Sequence, residues 1–216
     1  MGINRTYAVF GLGRYGMAIA KELVNNGAEV LAVDMNEEVV NAASVDIPFC
    51  KCADITDADV IEQLGIGNID VVVIAAANNL EASVMATMLC KEAGVKTVIA
   101  KCADEMQQKI LKKVGADRVM FPESESGTRL ARNLISSGFM DIIDLSDDVS
   151  MVELGVRSEW VGKNLLQLNL RRTYGINVVA VCEGERVEIN IDPERPLEAE
   201  MKLIVIAHTS ELNKLK

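Results

Sequence analysis

Residues 6–16 read TYAVFGLGRYG, an apolar run followed by glycines spaced as G-x-G-x-x-G. An apolar strand before this spacing and a helical pattern after it predict a dinucleotide-type βαβ unit, here over residues 6–36. In such a unit Gly11 permits a tight turn, Gly13 admits a pyrophosphate to the backbone, and Gly16 lets the helix approach the sheet. Because the N–H groups at the helix start favour phosphate, the stretch predicts an adenine-nucleotide site.

Two charged residues extend this prediction. Asp34 ends the second apolar run, 23 residues after Gly11. A carboxylate there accepts hydrogen bonds from both ribose hydroxyls and repels a 2′-phosphate, although Asp34 alternatively caps a helix starting at Glu37 and Glu38. Arg14, inside the glycine loop, can reach a terminal phosphate of its own or a neighbouring subunit. The alternative for Arg14 is a solvent-exposed residue at the helix start.

The rest of the first part alternates strand and helix patterns. A β-α order with short connections predicts a doubly wound parallel sheet with helices on both faces. Glycines at 27, 65, 94 and 115 stand where these helices should stop. The predicted strands cover residues 7–10, 30–33, 48–51, 71–74, 98–100 and 119–121, and the predicted helices cover residues 17–24, 57–64, 80–93, 105–114 and 125–137.

Beyond the last of these helices the pattern changes. Strand-like runs at 142–145, 151–154, 178–181 and 203–206 accompany one helical stretch, residues 165–172. The predicted fold class is therefore α/β, a Rossmann-like doubly wound parallel sheet followed by a small α+β C-terminal lobe. We place the nucleotide-binding domain at residues 1–137 and the lobe at residues 138–216.

Composition excludes several kinds of partner. The chain has 216 residues and a formal net charge of −10. It contains no Lys/Arg run, so we expect no nucleic-acid partner. No apolar run approaches the roughly 20 residues of a membrane span, so we expect no direct membrane insertion. The odd count of 5 cysteines, without framework spacing, indicates a reducing cytoplasm, with most of the thiols serving as small core residues.

At several separate places the sequence resembles the KtrA/TrkA family, cytosolic regulatory subunits of bacterial potassium transport systems with RCK (regulator of conductance of K⁺) domains. The resemblance covers essentially the whole chain, and its length fits the short, KtrA-like form. Residues 53–57 read A-D-I-T-D and match the family's G-D-A-T-D turn, with Ala in place of the usual Gly and Ile in place of the usual Ala. The other matching segments are residues 11–16 with Arg14, 34–36, 75–76, 99–101, 115–123 (G-A-D-x-V-x-x-P-E) and 170–181.

This resemblance implies a binding protein that takes ATP, ADP or NAD(H) at the Rossmann site. By the resemblance, Asp34 holds the ribose, Arg14 senses terminal phosphates, and Lys101 lies near the mouth of the pocket. Asn36 and the pair Asp54 and Ile55 border the adenosine. The full set of implied nucleotide-binding residues is Gly11, Gly13, Arg14, Tyr15, Gly16, Asp34, Met35, Asn36, Asp54, Ile55, Ala75, Ala76 and Lys101.

Several acidic residues are candidate ligands for a cation. The resemblance implies that Glu123 helps bind a divalent or monovalent cation at a dimer interface, because a carboxylate near phosphates would otherwise repel them. The alternative is that Glu123 belongs to the start of the following helix. The acidic group Asp54, Asp57 and Asp59 is interpreted as capping the next helix rather than as a metal cluster.

In the C-terminal lobe, some family members bind cyclic di-AMP. The matching positions are Arg171, Ile176, Asn177 and Pro193. An Arg can pair with a phosphate and an Asn can read an adenine edge. The alternative is that Arg171 is a solvent-exposed helix residue and Ile176 is part of the core.

The resemblance also implies an assembly. The expected partner is a membrane potassium-translocating subunit of the KtrB/TrkH type, on whose cytoplasmic side homodimers build a ring, typically an octamer. ATP and ADP would hold this ring in different shapes. The apolar segment with Ile135, Phe139 and Met140 is predicted to pack between subunits, although it alternatively fills an intradomain core.

Two other functions would need residues that this sequence does not show. A small NAD-dependent oxidoreductase would need a general acid or base, yet His208 lies far along the chain from the glycine loop, and the tyrosines form no Tyr-x-x-x-Lys pair. Cys102 has no histidine beside it in the sequence. A redox-sensing repressor would need a DNA-binding helix-turn-helix. The sequence opens with the first strand, and its second domain is acidic, so neither is expected to contain such a motif.

Overall fold

A six-stranded parallel sheet occupies the first part of the chain in the computed structural model, which describes residues 5–76, 79–135, 139–146 and 148–212. Its spatial order is β3-β2-β1-β4-β5-β6, so the order reverses between β1 and β4. Each predicted strand is confirmed within one residue at either end. The strands are β1 (Thr6–Phe10), β2 (Glu29–Asp34), β3 (Phe49–Cys52), β4 (Val71–Ile74), β5 (Thr97–Lys101) and β6 (Arg118–Met120).

Helices connect these strands. The residues Gly27, Gly65, Gly94 and Gly115, which follow α1, α3, α4 and α5, have positive φ angles, so the predicted stops are confirmed. The apolar spacing did not predict α2. The start of this helix is marked by the capping residue Asn36 and not by an apolar pattern. The helices are α1 (Arg14–Asn25), α2 (Glu37–Ala43), α3 (Ala58–Gln63), α4 (Leu80–Glu92), α5 (Glu105–Lys113) and α6 (Pro122–Ile135).

Both faces of the sheet are buried. Ala8 and Phe10 of β1 belong to one apolar cluster, whereas Val9 between them belongs to the other. This alternation follows from the two-residue repeat of a strand whose faces are both covered by helices. It explains why the strands read as continuous apolar runs.

The burial of each cysteine depends on the helix or strand that carries it. All five are free thiols, and Cys90, Cys102 and Cys182 are buried as predicted. Burial raises the pKa of the Cys90 thiol to about 12. Cys50 is partly buried and Cys52 is exposed because β3 is the edge strand of the parallel sheet.

The second part of the chain forms an antiparallel sheet in the order β10-β9-β11-β8-β7. Trp160, Ile176 and Leu203 contribute to the apolar core of this lobe. The predicted helix over residues 165–172 is two short helices, because Asn169 between them has a φ of 44°. The elements are β7 (Phe139–Asp144), β8 (Val149–Gly155), α7 (Leu165–Leu168), α8 (Leu170–Tyr174), β9 (Asn177–Glu183), β10 (Arg186–Glu188), β11 (Lys202–His208) and α9 (Thr209–Leu212).

The two parts form separate compact units, residues 1–124 and 125–216. This division lies inside α6, whereas the predicted boundary at 137/138 falls at positions outside the described residues and stays a prediction. The same is true of the predicted packing of Ile135, Phe139 and Met140, whose side chains are not among those described. Within the described residues, no helix has the length and apolar character needed to cross a bilayer.

The close packing of α1 on the glycine loop generates a stability prediction. A Cβ on Gly16 would collide with the backbone oxygen of Gly11, whereas a Cβ on Gly13 meets no described atom within 4 Å. We expect Gly16→Ala to lower the free energy of unfolding by about 3 kcal/mol, through forced backbone shifts. Gly13→Ala should lower it by at most about 1 kcal/mol, because Gly13 precedes α1 as its N-cap and alanine is a poorer N-cap than glycine. Denaturant unfolding followed by circular dichroism measures both, and equal losses would contradict the assignment.

Candidate functional site

The glycine loop lies at the carboxyl end of β1, where the strand order of the sheet reverses. Gly11 has a φ of 87°, and its N–H donates to the Val33 carbonyl at 2.8 Å. The N-cap of α1 is Gly13, to which no side chain in the described part of the chain supplies a capping hydrogen bond. The start of α1 therefore presents backbone N–H groups and a positive helix end at the crevice where open α/β sheets bind ligands.

Ala75 and Ala76, which follow β4, form a wall beside this loop. The Ala75 N–H donates to the Phe10 carbonyl at 2.7 Å, which fixes the wall to the end of β1. A Cβ on Gly11 would lie 3.2 Å from the Ala76 nitrogen, and a Cβ on Gly16 would lie 3.2 Å from the Ala75 Cβ. The glycines are thus needed because the wall lies so close.

Asp34 joins the glycine loop to the next turn. Its Oδ2 accepts from the Leu12 N–H at 2.6 Å, and its Oδ1 accepts from the Asn36 N–H at 2.9 Å. The helix-cap alternative for Asp34 is wrong, because Asn36 caps α2 by accepting from the Glu38 N–H at 2.9 Å. Asp34 is partly buried at the end of β2, and the neighbouring Met35 is 74% exposed. The carboxylate is therefore held at the loop with remaining lone pairs for a ligand.

The acidic turn after β3 is built from local hydrogen bonds. Asp54 accepts from the Thr56 N–H at 2.9 Å and from the Thr56 hydroxyl at 2.7 Å, and these two bonds lower the pKa of Asp54. Asp57 caps α3 by accepting from the Asp59 N–H, as interpreted from the sequence. No group of three or more potential ligands for a metal ion occurs among the described residues. Ile55 is buried in the core, so its backbone is the part available to a ligand.

A charged cluster stands at the ends of β5 and β6. The Lys101 ammonium pairs with Glu123 Oε1 at 2.5 Å and lies 5.5 Å from the centroid of the Tyr15 ring. Its side chain is 15% exposed, against 64% for Glu123. The hydrogen bond from Lys101 lowers the pKa of Glu123, with a smaller contribution from the charge of Arg14. The structure therefore brings together the three charged residues predicted for the phosphate side of the site.

The positions predicted for cyclic di-AMP lie in the C-terminal lobe. Arg171 is exposed on α8, Asn177 is exposed at the start of β9, and Pro193 is also exposed. Ile176 is fully buried in the lobe's core, as the alternative for that residue expected. Three of the four side chains are thus open to solvent in this unit.

One residue near the crevice was missed by the sequence analysis. Ser83 of α4 is 1% exposed, and its hydroxyl donates to the Ala76 carbonyl at 3.1 Å. The available signal was a serine on the buried face of α4, which it shares with Ala86, Thr87 and Cys90. A polar group on a buried helix face needs a hydrogen-bond partner, here the wall of the site.

The TrkA-N domain model matches residues 7–122 and the TrkA-C domain model matches residues 149–216. Ktr system potassium uptake protein C of Bacillus subtilis is 35% identical over 99% of this chain and 97% of its own length. Ktr system potassium uptake protein A of Vibrio alginolyticus is 36% identical over 99% of this chain and 97% of its own length.

Solved structures confirm the predicted fold class. The GsuK channel bound to NAD superposes with a TM-score of 0.68 at 16% identity, over 98% of this chain. This chain spans 39% of the GsuK chain. The TrkA-N domain of the inner membrane protein ybaL from Escherichia coli superposes with a TM-score of 0.55 at 12% identity, over 63% of this chain and 100% of that chain.

The Lys101–Glu123 pair generates a pH prediction. Because the folded-state pKa of Glu123 is lowered, the pair's stabilisation is present above the unfolded-state pKa and is lost as the pH falls through the folded-state pKa. We expect Glu123→Gln to lower the thermal unfolding midpoint at neutral pH and to match the unsubstituted chain below about pH 3.

The matched control is Glu105→Gln, which removes an exposed first-turn carboxylate from α5 instead of α6. Both substitutions lose the same kind of helix-dipole interaction, so their difference at neutral pH isolates the pairing with Lys101. Scanning calorimetry across the pH range measures it. A Glu123→Gln effect no larger than that of Glu105→Gln would contradict the prediction.

Proposed function

The chain belongs to the KtrA/TrkA family of RCK-domain potassium-uptake regulatory subunits, and we propose that it gates a bacterial potassium transport system in response to a bound nucleotide. Full-length relatives are Ktr system potassium uptake proteins, 34–36% identical to it. Family membership makes the oxidoreductase alternative wrong, because these relatives are components of uptake systems. The chain is a regulatory subunit.

The uncapped start of α1, facing the crevice beside Asp34, is the observation that carries nucleotide binding. Gly13 leaves room for a pyrophosphate at the backbone, and the partly buried carboxylate of Asp34 lies within hydrogen-bonding distance of the loop. A ribose placed over Asp34 directs its pyrophosphate toward the α1 N-terminus. ATP, ADP and NAD(H) share this adenosine diphosphate part, and each is a candidate ligand.

Arg14 and Lys101 favour ligands with terminal phosphates. Arg14 is exposed at the first position of α1, and Lys101 is held against Tyr15 and Glu123. Two cations suit a triphosphate better than the internal diphosphate of NAD. Glu123 would then release Lys101 and bind a divalent or monovalent cation beside the phosphates, which offsets the repulsion between the carboxylate and the ligand.

A second ligand, cyclic di-AMP, is proposed for the C-terminal lobe. Arg171 and Asn177 are exposed and offer a cation for phosphate and an amide for an adenine edge. Pro193 offers an exposed apolar surface in the same lobe, and Ile176 belongs to the core of that lobe. This proposal rests on the family resemblance and on the exposure of these three side chains.

The proposed assembly follows from the family. Homodimers would form a ring, here proposed as an octamer, on the cytoplasmic side of a KtrB/TrkH-type membrane potassium-translocating subunit. Ligand exchange at the Rossmann site would favour one ring shape over another by differential affinity, which is the only way in which a ligand shifts such an equilibrium. Potassium selectivity would lie in the pore subunit.

Calorimetric titration of the full-length chain tests the ligand proposals. The panel is ATP, ADP, NAD⁺, NADH and cyclic di-AMP, with and without Mg²⁺ or K⁺. We expect Arg14→Ala to weaken ATP binding at least about fivefold while NAD⁺ affinity changes less, because a terminal phosphate loses a charge-assisted bond. Equal losses for both ligands would remove that role. An unsubstituted chain that bound none of the panel would sink the proposed function.

The ring proposal is tested by the mass of the assembly. Light scattering of the purified chain is expected to give a multiple of the 23.5 kDa chain, an octamer in the presence of ATP. Replacing ATP by ADP should change the hydrodynamic radius at constant mass. A monomer under both conditions would contradict the proposed assembly.

A further inference from the structure

We propose that Ser83 is a positioning residue for the nucleotide site, acting through the wall formed by Ala75 and Ala76. This inference rests on the proposed function, which it deepens. Ser83 lies in the first turns of α4, outside the glycine loop and outside every segment that carries the family resemblance. It would set the affinity for the ligand without contacting the ligand.

The hydroxyl of Ser83 is committed to the wall. It donates to the Ala76 carbonyl at 3.1 Å, and that carbonyl also accepts from the Asn79 N–H at 2.9 Å. Ser83 is 1% exposed. A buried hydroxyl without a hydrogen-bond partner costs free energy. Loss of the bond to the Ala76 carbonyl is therefore unfavourable for the folded chain.

The wall in turn fixes the glycine loop. The Ala75 N–H donates to the carbonyl of Phe10, the residue directly before Gly11, at 2.7 Å. A Cβ added at Gly11 would lie 3.2 Å from the Ala76 nitrogen, so the loop passes close to the wall only because it carries glycine there. A shift of the wall is therefore passed to the start of the loop through the bond to Phe10. The phosphate-facing N–H groups follow this loop, so their position depends on the Ala76 carbonyl.

Thr87 provides a matched comparison on the same helix. It is fully buried, and its hydroxyl donates to the Ser83 backbone carbonyl at 2.6 Å, entirely within α4. Ser83 and Thr87 therefore each bury one hydroxyl bonded to one backbone carbonyl. They differ in the carbonyl that they hold, which belongs to the site wall in one case and to the helix in the other.

The experiment compares Ser83→Ala with Thr87→Val in the full-length chain. Calorimetry with ATP and with NAD⁺ is expected to show binding weakened about fivefold by Ser83→Ala, the ratio that corresponds to one hydrogen bond, for both ligands alike. Thr87→Val should stay within about twofold of the unsubstituted chain. Thermal unfolding of both variants establishes that each is folded at the temperature of titration.

Two further measurements separate positioning from general destabilisation. Hydrogen exchange without ligand should be faster in the peptide that contains Ala75 and Ala76 for Ser83→Ala, and unchanged there for Thr87→Val. Ser83→Cys keeps a side chain of similar shape with a weaker hydrogen-bond donor, so it should bind both ligands with intermediate affinity. This variant replaces Ser83→Ala in the comparison if Ser83→Ala does not fold.

The outcomes are distinct. Unchanged binding by Ser83→Ala, or equal weakening by Thr87→Val, overturns the positioning role while leaving nucleotide binding intact. If the unsubstituted chain binds neither ATP nor NAD⁺, the proposed function fails and the role of Ser83 fails with it.

Discussion

The approach of α1 to the glycine loop is the constraint on which the rest of the site depends. A side chain at Gly16 would occupy the place of the Gly11 carbonyl, so the helix can begin at Arg14 only because position 16 has no Cβ. The helix start then points into the crevice where the strand order reverses between β1 and β4. Packing of one glycine on the backbone of another therefore decides both where the first helix lies and where the proposed phosphate site is formed.

The parallel sheet places the other functional groups at the same edge. Asp34, Ala75 and Lys101 each follow or end a strand, and parallel strands present their carboxyl ends together. These residues are far apart in the sequence. Each is nevertheless brought to the crevice when its own strand pairs in the correct register. Both buried faces of the sheet fix that register, because a slip of one residue would exchange the two core faces.

The sequence predicted the strands and the glycine loop because their signals are local. It did not reveal that Asn36 rather than Asp34 caps α2, since both residues are good helix caps within three positions of Glu37. The side chain of Ile55 lies in the core because the turn after β3 folds inward, which depends on contacts with distant elements. Ser83 was missed for a similar reason: its position on the buried face of α4 indicates that its hydroxyl needs a partner, but no residue pattern shows that the partner is the Ala76 carbonyl of the preceding loop.

The charges at the crevice favour sensing over chemistry. In the described structure Lys101 pairs with Glu123 and lies beside the Tyr15 ring, so a nucleotide bound as proposed would gain the full attraction of Lys101 only by replacing Glu123. Such an exchange would couple the occupancy of the site to the position of α6, on which Glu123 lies. A ligand changes a conformational equilibrium only through different affinities for its states, and the displaced ion pair would supply such a difference between a triphosphate and a diphosphate. The same arrangement would hinder catalysis, because binding energy would be used to break the pair rather than to stabilise a transition state.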